Sequence, residues 1–272
     1  MAARRDGRLR AHGARRMGRA LLVLPALYLV LAYLVLPALW RHHEHNPRLA
    51  TVPMVTRNAD GIPCDPLNVA LVGTRDEIVA ALAAAGWRQA APIDVRSGVG
   101  IAESVLLDRP DPTAPVSSLY LWGRRQDLAF EQEVGASARE RHHVRFWAAG
   151  DLGDGGRALW VGAATFDRGV GFSHRTGQIT HHIAPDLDAE RDDLMADLAA
   201  AGRLTLLYQV SGIGPTLVGW NGGGDRYFTD GEMTVGVLAI GNVGHGSPER
   251  LPNPPAVTLK NRAWSWLRPV LR

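Results

Sequence analysis

The feature that most constrains this chain is an uncharged apolar run near its N-terminus. Residues 20–40 (ALLVLPALYLVLAYLVLPALW) are 21 consecutive positions without a charged side chain. A helix of that length spans about 30 Å, the thickness of the hydrocarbon core of a bilayer. Trp40 stands at one end, where an amphipathic aromatic ring anchors a helix at the membrane interface. The run therefore predicts a transmembrane helix.

A cleaved signal peptide is the alternative interpretation of the same run. Its apolar region would be shorter, about 7 to 15 residues, and would end in a small-x-small cleavage site. This run is longer and ends in Leu39, Trp40 and Arg41. We therefore favour an uncleaved signal-anchor.

Charge on the two sides of the run predicts its orientation. Residues 1–19 hold seven arginines and one acid, a net charge of +6, whereas only Arg41 and Arg48 follow closely on the other side. Positive flanks stay in the cytoplasm, so we expect a single-pass protein with a cytoplasmic N-terminus and an extracytoplasmic domain. The whole chain carries +3, so the part after residue 19 carries −3. That balance disfavours nucleic acid as a partner.

Composition along the chain predicts five segments. A basic cytoplasmic tail (1–19) and the transmembrane helix (20–40) precede a polar, proline-punctuated juxtamembrane linker (41–66). A single folded domain follows (67–241), and then a loop-like tail (242–272). The end of that tail, Lys260–Arg272, has the cations and tryptophans of a segment at a membrane interface, and a disordered end fits it equally well.

Hydrophobic patterns predict an α+β domain. Thr74 and Glu77 form the sequence of a capping box at the start of one helix, and Asp186 or Asp188 begins a second. Four β-rich runs lie between these helices, and further runs follow the second helix. We expect a mixed, mostly antiparallel sheet with two main helices on one face. The expected strands are 67–72, 118–130, 142–148, 158–167, 178–183, 204–210, 216–219 and 233–240.

Strand register suggests a polar site. If short loops close two hairpins, His143 lies beside Ala163, and Ala163 lies beside His182. Side chains alternate along a strand, so one face would then be polar and the other mainly apolar. A slip of one residue would undo this pairing. The polar face would carry His143, Arg145, Thr165, Asp167, Thr180 and His182. The opposite face would carry His142, Val144, Phe146, Gly162, Ala164, Phe166, His181 and Ile183.

Histidines and a carboxylate on one face suit two kinds of chemistry. His143 and His182, with Asp127 or Asp167, would bind a divalent metal such as zinc. The catalytic candidates His143, His182 and Asp167 would instead work as acid and base. The alternative is a hydrogen-bonded structural network, and no HExxH spacing is present to favour the metal.

Three arginines raise the separate possibility of an anion site. Arg124, Arg125 and Arg145 would hold a phosphate or carboxylate, because a guanidinium binds either group in bidentate fashion. Ordinary ion pairs with neighbouring acids are the alternative, and these acids are Asp127, Glu131 and Glu133.

A glycine-rich run, Asn221–Arg226, lacks the Lys-Ser/Thr of a phosphate-binding P-loop. Its three glycines allow a close approach of backbone to a ligand, and a flexible loop explains them equally well.

The same segments resemble the LssY carboxy-terminal domain family across residues 66–235. The resemblance implies a membrane-associated domain without an assigned reaction, in a family sometimes joined to segments similar to type 2 phosphatidic acid phosphatases. This chain has one apolar helix and none of those phosphatase segments, so lipid-phosphatase activity is not implied for it. The segments that carry the resemblance are 68–73, 115–120, 123–130, 141–147, 162–169, 176–182 and 221–225.

Two functions are compatible with this sequence. The first is a membrane-anchored extracytoplasmic module that binds an envelope component or a membrane-protein partner. The second is a metal- or histidine-dependent hydrolase acting on a phosphorylated or envelope substrate. An enzyme requires His143, His182 and a carboxylate to converge in an open cleft, whereas a binding module tolerates buried, hydrogen-bonded histidines.

Overall fold

The computed structural model describes residues 21–90, 118–135, 137–150, 157–175, 177, 179–214, 217–240 and 246–272. The expected basic tail, 1–19, lies outside these residues. The chain divides into two compact units, Met1–Arg41 and His42–Arg272.

In the first unit, residues 21–40 are helical (α1) and include a π-helical turn at Leu31–Val35. The segment Leu21–Ala38 is long and apolar enough to cross a membrane, and none of it is buried within the protein. The expected apolar helix is thus present in the structure.

The second unit is built on one large, mixed and mostly antiparallel sheet, as the sequence predicts. Its strand order is β15-β11-β14-β3-β9-β8-β7-β4, and β10 pairs with β9. Two pairs, β14 with β3 and β11 with β15, are parallel. The strands are β3 (Val69–Val72), β4 (Arg88–Gln89), β7 (Leu128–Val134), β8 (Ser137–Ala148), β9 (Leu159–Phe172), β10 (Ile179–Ile183), β11 (Leu204–Ser211), β14 (Glu232–Leu238) and β15 (Glu249–Arg250).

The two expected helices cover one face of this sheet. Helix α2 (Arg75–Ala84) begins with the complete Thr74–Glu77 capping box, and the Asp186 side chain caps α3 (Leu187–Ala200). Both helices pack in one core with alternate residues of the central strands, such as Val69, Leu71 and Val144. The α+β architecture is confirmed.

The opposite face is covered by residues that the sequence analysis assigned to the linker. A second core joins buried Leu49 and Leu67 to strand residues such as Ala70 and Val161. The segment 42–66 therefore packs as part of the domain, because its apolar side chains are needed to bury this second face. Above it lies a small sheet of β1 (Val55–Arg57), β2 (Pro63–Pro66), β5 (Tyr120–Leu121) and β6 (Arg124–Arg125). A two-stranded sheet pairs β12 (Val218–Trp220) with β13 (Arg226–Phe228).

The expected loop-like tail also differs from the structure. Pro255–Leu271 form a third helix of this unit, α4, which buries Val257 and Trp264. Apolar residues recur along this segment at helical spacing, and Lys260, Arg268 and Arg272 form ion pairs with acids of the domain.

Candidate functional site

The candidate site lies at one end of the large sheet, between β8, β9, β10 and β2. It surrounds a cleft of about 70 Å³. The charged side chains lining this cleft are Asp65, Arg145 and Asp167. The remaining lining residues are Cys64, Leu119, His143, Thr180, His181, Ile183, Asn221, Gly222 and Gly223. We call it the polar cleft.

The expected register of the hairpins is wrong by two residues at β8–β9 and by more at β9–β10. His143 pairs with Thr165 rather than Ala163, and His182 pairs with Gly169. A shift of two residues leaves each β8 and β9 side chain on its expected face, because side chains alternate with a period of two. His143, Arg145 and Asp167 therefore share one face, as expected.

A β-bulge changes the outcome for β10. The register shifts between His182 and Ile183, and His181 lies in the polar cleft. A bulge inserts one extra residue and so exchanges the faces of the side chains beyond it. His181, which was expected on the apolar face, therefore takes the place beside His143 that was expected for His182.

His143 is the most enclosed of these histidines and is 3% exposed. Its Nε2 atom lies 2.7 Å from Arg145 Nη1, and it is also 2.9 Å from Thr165 Oγ1. Arginine is only a donor, so Nε2 accepts and the ring proton must be on Nδ1. Nδ1 lies 3.0 Å from Asp167 Oδ2. Burial lowers the pKa of His143, in keeping with a neutral ring.

His181 is held in a similar way. Arg141 Nη2 donates to His181 Nε2 at 3.0 Å. Burial lowers the pKa of His181 to about 4, so this ring is also neutral near pH 7. Arg141 itself is buried and donates to Glu131 at 2.9 Å.

The two carboxylates of the polar cleft differ in their pKa. Burial raises the pKa of Asp65 to about 6, and Arg145, 3.5 Å away, only partly offsets this effect. Burial also acts to raise the pKa of Asp167, but contacts with His143, His181 and Arg141 outweigh it and lower the pKa. Asp167 is therefore ionised at neutral pH.

His182 belongs to a second group of side chains. Its Nδ1 atom lies 2.7 Å from Asp225 Oδ1, and its ring centroid is 5.1 Å from that of His174. The ligand atoms of His174, His182 and Asp225 all lie within 4.8 Å of one another. Asp225 belongs to the glycine-rich run, where Asn221 Oδ1 accepts from its backbone N–H. We call these three residues the histidine–aspartate cluster.

The other predicted site residues lie elsewhere. Asp127 forms an ion pair with Arg124 and accepts from the backbone N–H of Ala148. Neither Arg124 nor Arg125 lines the polar cleft, so the structure does not bring them together there with Arg145. The expected four metal ligands are likewise split over three places.

Sequence reasoning missed Asp65, Glu131 and Arg141 as members of the network. A signal was available for Arg141, which is two residues before His143 and so shares its face. No comparable signal pointed to Asp65, because it was assigned to the linker.

Comparison with known proteins assigns the chain to a family. A sheet with helices on one face and a buried charged network at its end defines an α+β domain, and a helix long and apolar enough to cross a membrane precedes it. The family model described as "LssY C-terminus" matches residues 49–233, and the chain belongs to that family. No curated protein and no solved structure matches the chain.

Proposed function

We propose that this protein is a membrane-anchored, extracytoplasmic binding module. Its polar cleft receives a small cationic group, a primary ammonium, presented by an envelope component or a membrane-protein partner. The basic N-terminal tail would stay in the cytoplasm. A cleft of about 70 Å³ accommodates the end of a ligand rather than a whole one.

The charge balance of the cleft carries this proposal. Two carboxylates, Asp65 and Asp167, line the cleft with one guanidinium, that of Arg145. A second guanidinium near Asp167, that of Arg141, is paired at 2.9 Å with a third carboxylate, that of Glu131. Asp167 Oδ1 is buried without a hydrogen-bond partner among the residues that the structure describes. A buried acceptor left unpaired costs about 1 to 3 kcal/mol, and more when it is charged. An ammonium group would offer this oxygen a donor and a compensating charge.

The same network argues against acid–base catalysis and anion binding. Both ring nitrogens of His143 face partners within the protein, so His143 has no free nitrogen to accept a substrate proton. The charge of Arg145 is balanced by Asp65 and Asp167, which leaves little attraction for a phosphate. Buried, hydrogen-bonded histidines are compatible with a binding module.

The position of the cleft supports an envelope ligand. Strand registers place Asp65, His143 and Asp167 toward the end of the sheet where Ser211 pairs with Glu232. His42, the first residue of the second unit, is hydrogen-bonded to Ser211 through both its backbone N–H and its carbonyl. The cleft is thus toward the same end of the sheet as the residue pair that His42 contacts.

Two amines of equal charge would test the proposal. Methylammonium has three N–H donors, and tetramethylammonium has none. At equal ionic strength, methylammonium should raise the unfolding temperature of the full chain in detergent, and tetramethylammonium should not. The effect should vanish in Asp65→Asn and persist in Asp76→Asn, a change at an exposed position in the first turn of α2. Equal responses to both ions, or stabilisation by inorganic phosphate instead, would contradict the proposal.

The histidine–aspartate cluster supports a second candidate function, a metal-dependent hydrolase. Asp225 orients His182 through Nδ1, as carboxylates often orient histidines that bind a metal through the other nitrogen. Exposed His174 would supply a second ligand. Asp225 Oδ1 contacts His182, and Asp225 Oδ2 accepts from both the Ile183 backbone N–H and Asn221 Nδ2, so the two histidines would be the direct ligands. Catalytic zinc sites use three protein ligands, and this candidate therefore ranks second.

Metal content of the full chain, purified without chelator, distinguishes the two functions. The hydrolase requires about one zinc ion per chain that is lost in a His174→Ala/His182→Ala variant and kept in a His143→Ala variant. Absence of bound zinc from the wild-type protein removes this second candidate.

A further inference from the structure

Helix α4 has two different faces. One face is fixed to the domain: Trp264 Nε1 donates to Asp188 at 2.7 Å, and Arg268 pairs with Asp186 at 2.9 Å. The other face is apolar and exposed. It carries Leu259, Ala263, Trp266 and Val270, which follow one another at intervals of four, three and four residues. That spacing places all four on a single stripe of the helix.

The exposed stripe is unusually apolar for a surface. Trp266 and Val270 are each 83% exposed, and Leu259 is 69% exposed. Leu267, beside the stripe, is 55% exposed. A tryptophan held almost entirely in water is unfavourable, because its large ring is normally buried or placed at a membrane interface. Contiguous exposed apolar side chains mark an interaction surface.

Helix α4 lies beside the point where the second unit begins. Lys260 of α4 forms an ion pair with Glu232, and Glu232 also lies 3.4 Å from His42 Nε2. His45 Nε2 lies 3.3 Å from the carbonyl oxygen of Pro252, just before the helix. His42 follows Arg41 directly, and Arg41 follows α1. Only a few residues of chain therefore separate the end of the apolar helix from contacts with α4.

We infer that the apolar stripe of α4 rests in the interface of the bilayer that α1 crosses. This inference rests on the membrane anchoring in the proposed function and is independent of the ligand of the polar cleft. Trp266 sits at headgroup depth, where its indole has both apolar and polar surroundings. Exposed Arg262, close to the stripe, faces the lipid phosphates. The ion pairs of Lys260 and Arg268 keep the opposite face on the domain.

Lipid quenching of a fluorophore on α4 tests this contact. The full chain, in a Cys64→Ala background, would carry Trp266→Cys labelled with an environment-sensitive fluorophore, in vesicles that contain phosphatidylglycerol and a lipid brominated near the headgroup. The matched control is the same label at Asp76→Cys. Asp76 is exposed and follows the end of β3 that points away from His42. The label at 266 should be blue-shifted and strongly quenched, and the label at 76 should be neither.

Two results would overturn the inference. A label at 266 that behaves like the label at 76 would place the stripe in water. A blue-shifted label that brominated lipid does not quench would place it against protein, as in a second copy of this chain. Flotation of the labelled protein with the vesicles is measured in parallel. If the protein floats with the vesicles but the label at 266 is not quenched, the anchor is present and only the α4 contact is refuted. If the protein does not float, the anchoring proposal itself is refuted.

Discussion

His143 Nδ1 lies 3.0 Å from Asp167 Oδ2, and this pair joins the two arginines of the buried network. Arg145 donates to His143, and Arg141 Nε lies 3.5 Å from Asp167 Oδ2. All four side chains are buried. Asp167 therefore lies between two buried guanidinium groups, each of which also has a second carboxylate partner: Glu131 for Arg141 and Asp65 for Arg145.

Replacement of Asp167 should test that dependence. Asp167→Asn keeps the size of the side chain and removes the charge that contacts Arg141 and His143. Removal of one partner of a buried ion pair costs about 3 to 5 kcal/mol. We expect a loss in that range, measured from urea unfolding of the full chain in detergent. Exposed Asp76→Asn should change the free energy of unfolding by less than about 0.5 kcal/mol. A similarly small effect for Asp167→Asn would mean that the network contributes little to stability.

The pKa of Asp65 predicts a specific dependence of stability on pH. Its folded pKa of about 6 lies above the ordinary value of 3.8, so between these values the folded state binds more protons than the unfolded state. The contribution of Asp65 to stability therefore falls as pH rises through this window. The shift corresponds to at most about 3 kcal/mol. The stability of the wild type relative to Asp65→Asn should therefore fall as pH rises between roughly pH 4 and pH 6. Parallel curves would show that Asp65 titrates normally.

The hydrogen bond from Trp264 to Asp188 should fix α4 to the domain. Trp264→Phe removes the donor and leaves a buried carboxylate oxygen with one partner fewer, at a cost of about 1 to 3 kcal/mol. Trp266→Phe, two residues further along the same helix, changes an exposed ring and should be nearly neutral in detergent. Thermal unfolding of both variants gives the comparison. Equal effects would contradict the separate roles assigned to the two faces of α4.

Gly162 should be required where β9 passes β8. A Cβ atom at this position would lie 2.7 Å from Phe146 Cδ1 and 2.8 Å from the carbonyl oxygen of Arg145. Because the backbone oxygen is fixed in the sheet, Gly162→Ala must displace strands next to the polar cleft, at a cost of about 1 to 3 kcal/mol. Gly246→Ala, where the added Cβ meets nothing within 4 Å, is the control. Equal unfolding midpoints for the two variants would refute the close approach.

Local signals in the sequence were sufficient for helices α2 and α3 and for the central strands, but not for α4. The capping residues Thr74 and Glu77 and the alternation along β8 and β9 depend on nearest neighbours, and both are present as predicted. Residues 42–66 pack against an apolar sheet face that is formed by strands distant in the sequence. Their polar, proline-rich composition alone therefore led to the wrong expectation of a linker.

The candidate site depends even more on strand register and long-range contacts, which the sequence does not reveal. Alternation along β8 correctly placed His143 and Arg145 on one face. The two-residue error in register did not change that face, because side chains alternate with a period of two. The bulge leaves Arg168 of β9 unpaired opposite His182 and Ile183, and it reversed the outcome for β10. Gly169 beside it was the one local signal, because a glycine within a strand often marks a bulge. Asp65 joins the site through a long-range contact with Arg145, which no local pattern encodes.

The pH dependence of amine binding tests the central proposal most directly. If methylammonium binds beside Asp65, ionisation of that carboxyl favours binding, so the affinity should rise as pH rises through about 6. Calorimetric titration of the full chain in detergent between roughly pH 5 and pH 7.5 would show this rise, and Asp65→Asn should remove it. Affinity that does not change with pH, or binding unaffected by Asp65→Asn, would contradict a cationic ligand in the polar cleft.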